Sequence, residues 1–219
     1  MKLLVFDLDD TLFPEREFVL SGFRAVDLWV RQILGCESFY TIAADLFERG
    51  DRGNLFNQAL QALEIEDTPE RIQQMIGVYR THSPDISLFE DARWALSHFS
   101  TGPLGIITDG YLNVQKRKAK VLGLEERVDT IVYTDAYGRQ NWKPSPLPYQ
   151  KMMQATGVDP TDCIYVGDNP KKDFIQARAL GWRTFHICRQ QAEYAHLVVE
   201  KPYQADVQIK SLYELADMV

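Results

Sequence analysis

The sequence predicts an α/β fold, in which a parallel sheet carries an inserted domain of four helices. Short apolar runs alternate with amphipathic helical stretches over most of the 219 residues. This alternation is typical of parallel strands joined by right-handed helical crossovers. The apolar runs are continuous rather than alternating, as expected of strands that are buried on both faces. One long stretch without a convincing strand interrupts the rhythm and indicates the insert.

Five apolar runs are predicted to be the buried strands of this sheet. They read LLVF, LGII, IVY, CIYV and TFHI, at residues 3–6, 104–107, 131–133, 163–166 and 184–187. A sixth and weaker run lies at 207–209. Between the strands, apolar residues recur at helical spacing, and two of these stripes end at Gly123 and Gly181, which are predicted helix C-caps.

Residues 15–87 are predicted to form the inserted helical domain, and residues 1–14 and 88–219 the sheet domain. The insert holds four apolar stripes at helical spacing. The first stripe consists of Phe23, Val26, Val30 and Ile33. Thr68 and Pro69 are a typical helix start, with an N-cap followed by proline at the first helical position. Four amphipathic helices in about 70 residues can bury a small core of their own.

Composition and charge exclude several classes of function. The net charge is −7 and the pI is about 5.1, so the chain is a poor general binder of nucleic acid or of anionic membranes. No apolar run approaches the roughly 20 residues of a membrane helix, and MKLLVFDLDD becomes acidic too early for a signal peptide. The three cysteines lack metal-ligand spacing and indicate reduced thiols in a cytoplasmic protein. The oligomeric state is left open between monomer and homodimer.

Polar and acidic residues follow three of the predicted strands. They are Asp7 and Asp9, Thr108 and Asp109, and Asp168 and Asp173. Because the carboxyl ends of parallel strands meet at one edge of the sheet, all of these side chains except Asp109 are expected to converge there. Two carboxylates 4 Å apart repel by about 4 kcal/mol at an effective dielectric near 20, so a cation is required. An oxygen-only ligand set favours Mg²⁺ or Mn²⁺ over Zn²⁺.

Lys143 is the candidate for a fixed positive charge at the same edge. Pro144 disfavours helical geometry for Lys143, so its side chain can project from a loop. A divalent cation, a lysine and backbone N–H groups together are suited to binding a phosphoryl group. A carboxylate can also act as the nucleophile and form an aspartyl-phosphate.

Four motifs in order resemble those of the haloacid dehalogenase (HAD) superfamily. They are DLDDT at 7–11, Thr108, Lys143 and GDNPKKD at 167–173. The resemblance covers the whole chain and implies a HAD-like, Rossmann-like parallel sheet core with a type-one helical cap. Within the superfamily the chain resembles the branch of phosphoglycolate phosphatase, N-acylneuraminate-9-phosphatase and pyrimidine nucleotidase.

The resemblance implies a role for each matching residue. Asp7 would be the nucleophile, and Asp9 the general acid and then the general base. Thr108 and Lys143 would hold phosphate oxygens, with Asp109 and Gly110 beside them. The Mg²⁺ ligands would be Asp7, Asp168 and the backbone carbonyl of Asp9, and Asp173 would complete the metal site by orienting the metal or its waters and the lysine. Asp10 is expected to serve turn or capping chemistry instead.

Two features distinguish this chain from relatives within the superfamily. Dehalogenases lack the second aspartate of the first motif, since a halide needs no proton, so Asp9 favours phosphoryl transfer. Many relatives carry asparagine where this chain has Asp109, which adds negative charge near the phosphate. Lys171 and Lys172 are either solvated or in part neutralise this acidic edge. Tyr111, Asn113 and Gln115 follow the second motif and are candidates for facing the cleft.

The cap is expected to supply specificity, and its segment FERGDRGNLF at 47–56 resembles the cap loop of the same branch. Arg49 and Arg52 either contact the leaving group or are solvated charges at helix ends. The leading hypothesis is a Mg²⁺-dependent phosphatase that hydrolyses a small phosphorylated metabolite, such as a sugar phosphate or nucleotide, through an aspartyl-phosphate. The alternatives are a phosphomutase of the same superfamily and a non-catalytic binding protein that keeps the fold.

Overall fold

A computed structural model describes residues 2–190 and 192–219 of the chain. The chain divides into two compact units, one made of Met1–Glu15 with Ser87–Val219 and the other of Arg16–Ile86. The first unit contains the sheet and the second contains helices α1 to α4. Across the described residues, no helix combines the length and the apolarity that crossing a membrane would need.

The sheet unit confirms the predicted α/β fold. In the described part of the chain its strands are β1 Leu3–Phe6, β2 Leu104–Thr108, β3 Thr130–Tyr133, β4 Cys163–Gly167, β5 Arg183–Ile187 and β6 Val207–Ile209. All neighbouring strands are parallel, in the order β3-β2-β1-β4-β5-β6. The weak apolar run at 207–209 is therefore a strand at the edge of the sheet.

The strands form where the sequence is continuously apolar because both of their faces are covered. Every residue of β1, β2 and β4 is buried. The helices of this unit are α5 Glu90–His98, α6 Leu112–Val121, α7 Leu147–Thr156 and α8 Ile175–Ala179. Tyr149 and Met152 of α7 pack with Leu3, Val5 and Tyr165 in one apolar cluster. Burial of this kind stabilises by about 25 cal/mol for each Å² of apolar surface removed from water.

The strand register brings the carboxyl ends of the three central strands to the same level. Phe6 pairs with Ile106 on one side and with Val166 on the other. The strand order reverses beside β1, since β2 and β3 lie on one side of it and β4 to β6 on the other. Ligands of open parallel sheets bind at such a reversal, and this edge carries the predicted site residues.

Asp91, at the start of α5, ties that helix to the C-terminal part of the sheet unit. Its carboxylate accepts hydrogen bonds from both terminal nitrogens of Arg189, at 2.9 and 3.1 Å, and from Ser211 Oγ and the Leu212 amide at 2.9 and 2.8 Å. Burial alone would raise the pKa of Asp91, but the Arg189 charge and these hydrogen bonds outweigh it, and the pKa is lowered. Asp91 is therefore ionised and stabilising at neutral pH.

The second unit consists of the four predicted helices. They are α1 Glu15–Leu34, which begins one residue before the unit, α2 Phe39–Glu48, α3 Leu55–Ala62 and α4 Pro69–Thr81. Thr68 caps α4 by accepting a hydrogen bond from the Arg71 amide at 3.3 Å, as its sequence predicts. The core contains Phe23, Val26 and other apolar residues from all four helices. The expectation that Ile33 is buried is wrong: it lies in the last turn of α1, just before Gly35, and is 63% exposed.

Candidate active site

Three buried aspartates lie together at the carboxyl edge of the sheet. Asp7 directly follows β1, Asp168 directly follows β4, and Asp173 lies five residues further on. One carboxylate oxygen from each lies within 4.8 Å of the others. The close approach requires glycine at position 167, because a Cβ there would lie 2.5 Å from the Asp173 carboxylate. These are three of the side chains that the sequence predicted to converge.

Lys143 supplies the positive charge inside this acidic cluster. Its Nζ lies 2.8 Å from Asp7 Oδ1 and 2.8 Å from Asp173 Oδ1, and its side chain is fully buried. Nζ also donates a hydrogen bond to the Tyr165 hydroxyl at 2.8 Å. Tyr165 lies within β4, and its apolar neighbours gave no sign of this role. The lysine therefore bridges the residue after β1 to the loop after β4.

Burial and mutual repulsion shift the titration of this cluster. Burial raises the pKa of Asp7 to about 6, against the opposing effect of the Lys143 charge. Burial, followed by the negative charges of Asp7 and Asp173, raises the pKa of Asp168 well above its ordinary value. Burial would lower the pKa of Lys143, but the charges of Asp173 and Asp7 outweigh it and raise that pKa. One lysine does not compensate three carboxylates.

Asp168 shows where a cation fits. Its carboxylate is buried, yet no residue among 2–190 and 192–219 donates a hydrogen bond to it. A buried charged group without a partner is costly unless an ion or water satisfies it. The candidate ligand group of Asp7, Asp168 and Asp173 offers carboxylate oxygens, which are the ligand type of Mg²⁺. The arrangement therefore fits a divalent cation held by Asp7 and Asp168, with Asp173 beside them.

Asp9 lies apart from the cluster in its side-chain contacts. Its Oδ1 lies 2.6 Å from Lys118 Nζ, and its Oδ2 accepts a hydrogen bond from Gln115 Nε2 at 2.8 Å. The same Gln115 nitrogen donates to Thr108 Oγ1 at 2.6 Å. Helix α6 therefore holds the Asp9 carboxylate beside Thr108. That the backbone carbonyl of Asp9 binds metal stays a prediction.

Asp109 directly follows the predicted phosphate ligand Thr108, and three groups satisfy its carboxylate. Oδ1 accepts hydrogen bonds from Thr134 Oγ1 at 2.8 Å and from the Lys143 amide at 3.1 Å. Oδ2 accepts one from Lys172 Nζ at 3.0 Å. Burial would raise the pKa of Asp109, but the charges of Lys143 and Lys172 lower it. Lys172 is thus the lysine that neutralises this edge, whereas Lys171 is exposed.

Asp10 and Gly110 shape the backbone around these side chains. Asp10 Oδ1 accepts a hydrogen bond from the Glu15 amide at 2.9 Å, at the start of α1, which is the capping chemistry expected of it. Gly110 has a φ of 123°, in the region that favours glycine, and a Cβ there would lie 3.1 Å from the Gln115 side chain. The glycine therefore gives Gln115 the room to reach Asp9 and Thr108.

Arg49 and Arg52 have local contacts within the four-helix unit. Arg49 forms an ion pair of 2.6 Å with Asp45, one turn earlier. Arg52 donates hydrogen bonds to the carbonyls of Phe47 and Asp51 at 2.9 and 2.8 Å, and its guanidinium lies 4.2 Å from the centre of the Phe47 ring. Both arginines are exposed. Their contact with substrate stays a prediction.

Sequence reasoning missed Lys118, although a signal was present. Val114 and Ala119 of α6 and Leu122 just after it form an apolar stripe, and Lys118 falls within that stripe, three residues after Gln115. Both polar residues are only 2% exposed. A lysine on the buried face of a helix needs an acidic partner, and the only way to identify Asp9 as that partner was the fold itself.

Comparisons with known proteins agree with this architecture. The chain is 26% identical to pyrophosphatase PpaX of Halalkalibacterium halodurans, covering 99% of this chain and 95% of that protein. It is 27% identical to the glyceraldehyde 3-phosphate phosphatase of Methanocaldococcus jannaschii, covering 100% and 97%. The crystal structure of YfnB from Bacillus subtilis bound to magnesium has the same fold, with a TM-score of 0.72 at 16% identity over 99% and 97% of the chains. The family model of the haloacid dehalogenase-like hydrolases matches residues 4–187. The chain therefore belongs to the haloacid dehalogenase-like hydrolases.

Proposed function

We propose that this hydrolase is a Mg²⁺-dependent phosphatase that cleaves a small phosphorylated metabolite through an aspartyl-phosphate on Asp7. The observation that carries the proposal is the Asp7 carboxylate, buried at the sheet edge and paired with Lys143 at 2.8 Å beside the unpartnered Asp168. The presence of Asp9 favours phosphoryl transfer over dehalogenation, because an alkoxide leaving group needs a proton and a halide does not.

In the first step, an Asp7 carboxylate oxygen attacks phosphorus and the bond from phosphorus to the leaving oxygen breaks. The Asp9 carboxyl gives its proton to that oxygen, so the leaving group departs as an alcohol. Thr108 and Lys143 hold the phosphoryl oxygens through their hydroxyl and ammonium groups. Mg²⁺ bound at Asp7 and Asp168 would neutralise charge on the phosphoryl group.

In the second step, the Asp9 carboxylate takes a proton from water as the water oxygen attacks phosphorus. The bond between phosphorus and Asp7 breaks, which regenerates the Asp7 carboxylate and releases inorganic phosphate. Asp9 is then protonated again and ready for the next leaving group. Lys172, held by Asp109, adds positive charge beside these groups.

The names of the relatives support a small phosphorylated substrate. Two are named for pyrophosphate and glyceraldehyde 3-phosphate cleavage, and a phosphoserine phosphatase of Thermus thermophilus is 26% identical over 86% of this chain and 89% of its own. These substrates share a terminal phosphoryl group on a small polar leaving group. We propose the same class for this chain, and sugar phosphates and nucleotides are members of it.

The decisive test is Asp7→Asn, since an amide does not accept the phosphoryl group. Phosphate release from 4-nitrophenyl phosphate should fall by at least about 10³-fold, while the circular dichroism spectrum stays that of the wild type. The control is Asp159→Asn, the same change at an exposed position of the sheet unit, which should retain full activity. Activity of Asp7→Asn within tenfold of wild type would remove Asp7 from the nucleophile role.

Metal dependence and product release complete the test. Dialysis against EDTA should abolish turnover, and Mg²⁺ or Mn²⁺ should restore it. Ca²⁺ should support little, because its longer bonds and higher coordination number disturb in-line attack. Phosphate release without a sugar bisphosphate activator separates a phosphatase from a phosphomutase, which returns the phosphoryl group to its substrate. Undiminished turnover after exhaustive EDTA dialysis contradicts the metal proposal.

A further inference from the structure

Both oxygens of the Asp9 carboxylate are held by side chains of one helix. Lys118 Nζ lies 2.6 Å from Oδ1, and Gln115 Nε2 lies 2.8 Å from Oδ2. The two donors are three residues apart on α6 and so lie on the same face of the helix. Asp9 belongs to the loop after β1, so these contacts join segments that are distant in sequence.

Both hydrogen-bond donors to Asp9 are buried, so their contact with its carboxylate is a fixed part of the fold and not a chance surface contact. Gln115 and Lys118 are each 2% exposed. Burial alone would lower the pKa of Lys118, but the charges of Asp9 and of Glu15, whose carboxylate lies 3.7 Å away, raise it. The buried Lys118 ammonium group lies 2.6 Å from Asp9 Oδ1 and so directs a positive charge at that carboxylate. A surface lysine would leave the carboxylate free to adopt many rotamers.

Gln115 links Asp9 to the predicted phosphate ligand. Its side-chain amide has two N–H groups, and the nitrogen lies 2.8 Å from Asp9 Oδ2 and 2.6 Å from Thr108 Oγ1. Thr108 Oγ1 accepts the Gln115 hydrogen bond at 2.6 Å, while its own hydroxyl donates a long hydrogen bond of 3.4 Å to the Asp109 carbonyl, which a phosphoryl oxygen would replace. One amide thus sets the distance between the proton-transfer group and a phosphate ligand.

We propose that Gln115 and Lys118 are the positioning residues for the Asp9 carboxyl group, and that they aim it at the leaving oxygen. The inference rests on the proposed phosphatase function and deepens it. Each carboxylate oxygen has a second lone pair, so the transferred proton can reside on Asp9 while both contacts persist. The clamp restricts rotation of the carboxyl group, and misplacement of a catalytic group by about 1 Å can cost roughly 100-fold in rate.

The test uses leaving groups that differ in their need for a proton. The 4-nitrophenolate ion is a weak base and leaves without protonation, whereas the alkoxide of glycerol phosphate must be protonated as it leaves. In the two-step reaction, kcat/KM reports the steps up to departure of the leaving group, so it isolates acid catalysis by Asp9. We would measure kcat/KM for 4-nitrophenyl phosphate, phenyl phosphate and glycerol phosphate with saturating Mg²⁺.

The variants are Lys118→Met and Gln115→Met, which keep an unbranched side chain of similar length. The control is Lys120→Met, an exposed lysine on the same helix. For both test variants, kcat/KM with glycerol phosphate should fall roughly 10- to 100-fold, and with 4-nitrophenyl phosphate by less than about threefold. The control should match the wild type on all three substrates.

A loss that is the same for all three leaving groups, or no loss at all, would overturn the proposal and leave Gln115 and Lys118 as structural ties. If Lys118→Met does not fold, as judged by circular dichroism, Gln115→Met alone decides. Its logarithm of kcat/KM should then fall more steeply with the basicity of the leaving group than that of the wild type. Failure of the underlying function has a different signature, because the wild type itself would then release no phosphate from any of the three esters.

Discussion

Replacing Lys143 by methionine tests how the acidic cluster is held together. Lys143 Nζ lies 2.8 Å from both Asp7 Oδ1 and Asp173 Oδ1, and its side chain is fully buried. Methionine fills a similar space without a charge. The change therefore leaves two buried carboxylates without their cation, close to the third carboxylate of Asp168.

The expected loss follows from burial and charge. Removing one partner of a buried ion pair typically costs about 3–5 kcal/mol. A carboxyl group can escape by taking up a proton, but doing so at pH 8 from an ordinary pKa near 4 costs about 5 kcal/mol. Protonation therefore limits the loss without removing it. We expect the free energy of unfolding to fall by about 3–5 kcal/mol, equivalent to a melting temperature lower by roughly 6–20 °C for a chain of this size.

The assay is urea unfolding at pH 8 in EDTA, followed by tryptophan fluorescence. Three of the four tryptophans, Trp94, Trp142 and Trp182, belong to the sheet unit, so the signal mainly reports that unit. The control is Lys120→Met, which should change the unfolding free energy by less than about 0.5 kcal/mol. The slope of the unfolding free energy against urea concentration should be the same in the variant and the wild type, since both expose a similar surface on unfolding.

A loss below about 1 kcal/mol for the Lys143→Met variant would refute the reasoning. It would mean that water satisfies the carboxylates of Asp7 and Asp173 in the wild type, and that Lys143 stabilises the cluster no more than a surface lysine would. Under the proposed metal site, adding Mg²⁺ should stabilise the variant, since a divalent cation bound only by the folded state shifts the equilibrium toward it.

Three further changes extend the same logic to other parts of the chain. Asp91→Asn should lower the unfolding free energy by about 1–3 kcal/mol at pH 7. Folding lowers the pKa of Asp91, so its stabilising contribution is present above its unfolded pKa of about 3.9 and is lost as the pH falls through its folded pKa. Urea unfolding at pH 3 should therefore show a smaller difference in unfolding free energy between the wild type and the variant. Lys172→Met leaves the Asp109 charge without its Lys172 partner and should raise the KM for 4-nitrophenyl phosphate roughly tenfold. Adding Asp109→Asn to this variant should restore most of the lost affinity. If the effects of the two substitutions on KM simply add, the two residues do not act as a pair. The double variant Arg49→Ala, Arg52→Ala should lower kcat/KM roughly fivefold to a hundredfold for the best substrate of a metabolite panel. Its kcat/KM for 4-nitrophenyl phosphate should change little. Equal losses on both substrates would contradict a role of these arginines in specificity.

Local patterns were sufficient to predict the sheet, because its strands are covered on both faces and so are apolar without interruption. The end of each run also fixed which acids share an edge, since parallel strands all end on the same side. The expected convergence of Asp7, Asp168 and Asp173 is therefore found, with oxygens within 4.8 Å of one another, whereas their roles stay predictions. Capping by Thr68 could be predicted because it involves only neighbouring residues.

Contacts between distant segments could not be predicted in the same way. The partners of Lys118 and Lys172 depend on how far each helix or loop reaches across the sheet edge, which no local pattern encodes. Tyr165 reads as one more apolar residue of β4, and its hydroxyl finds Lys143 only in three dimensions. Ile33 fits the apolar stripe of α1 but is exposed. Periodicity predicts which face of a helix is apolar, but not how far along that helix the packing of other helices extends.

The central position of β1 has a consequence for how the chain acquires its structure. Leu4 pairs with Leu104 on one side and with Ile164 on the other, so β1 is synthesised before either strand with which it pairs. At about 5–20 residues per second, the second neighbour follows roughly 10–30 seconds later. During that interval residues 16–86 are complete, while β1 has an open backbone edge that can pair with other chains. A polypeptide truncated between β2 and β4 would keep that edge permanently open, and slow translation through this region should favour aggregation over folding.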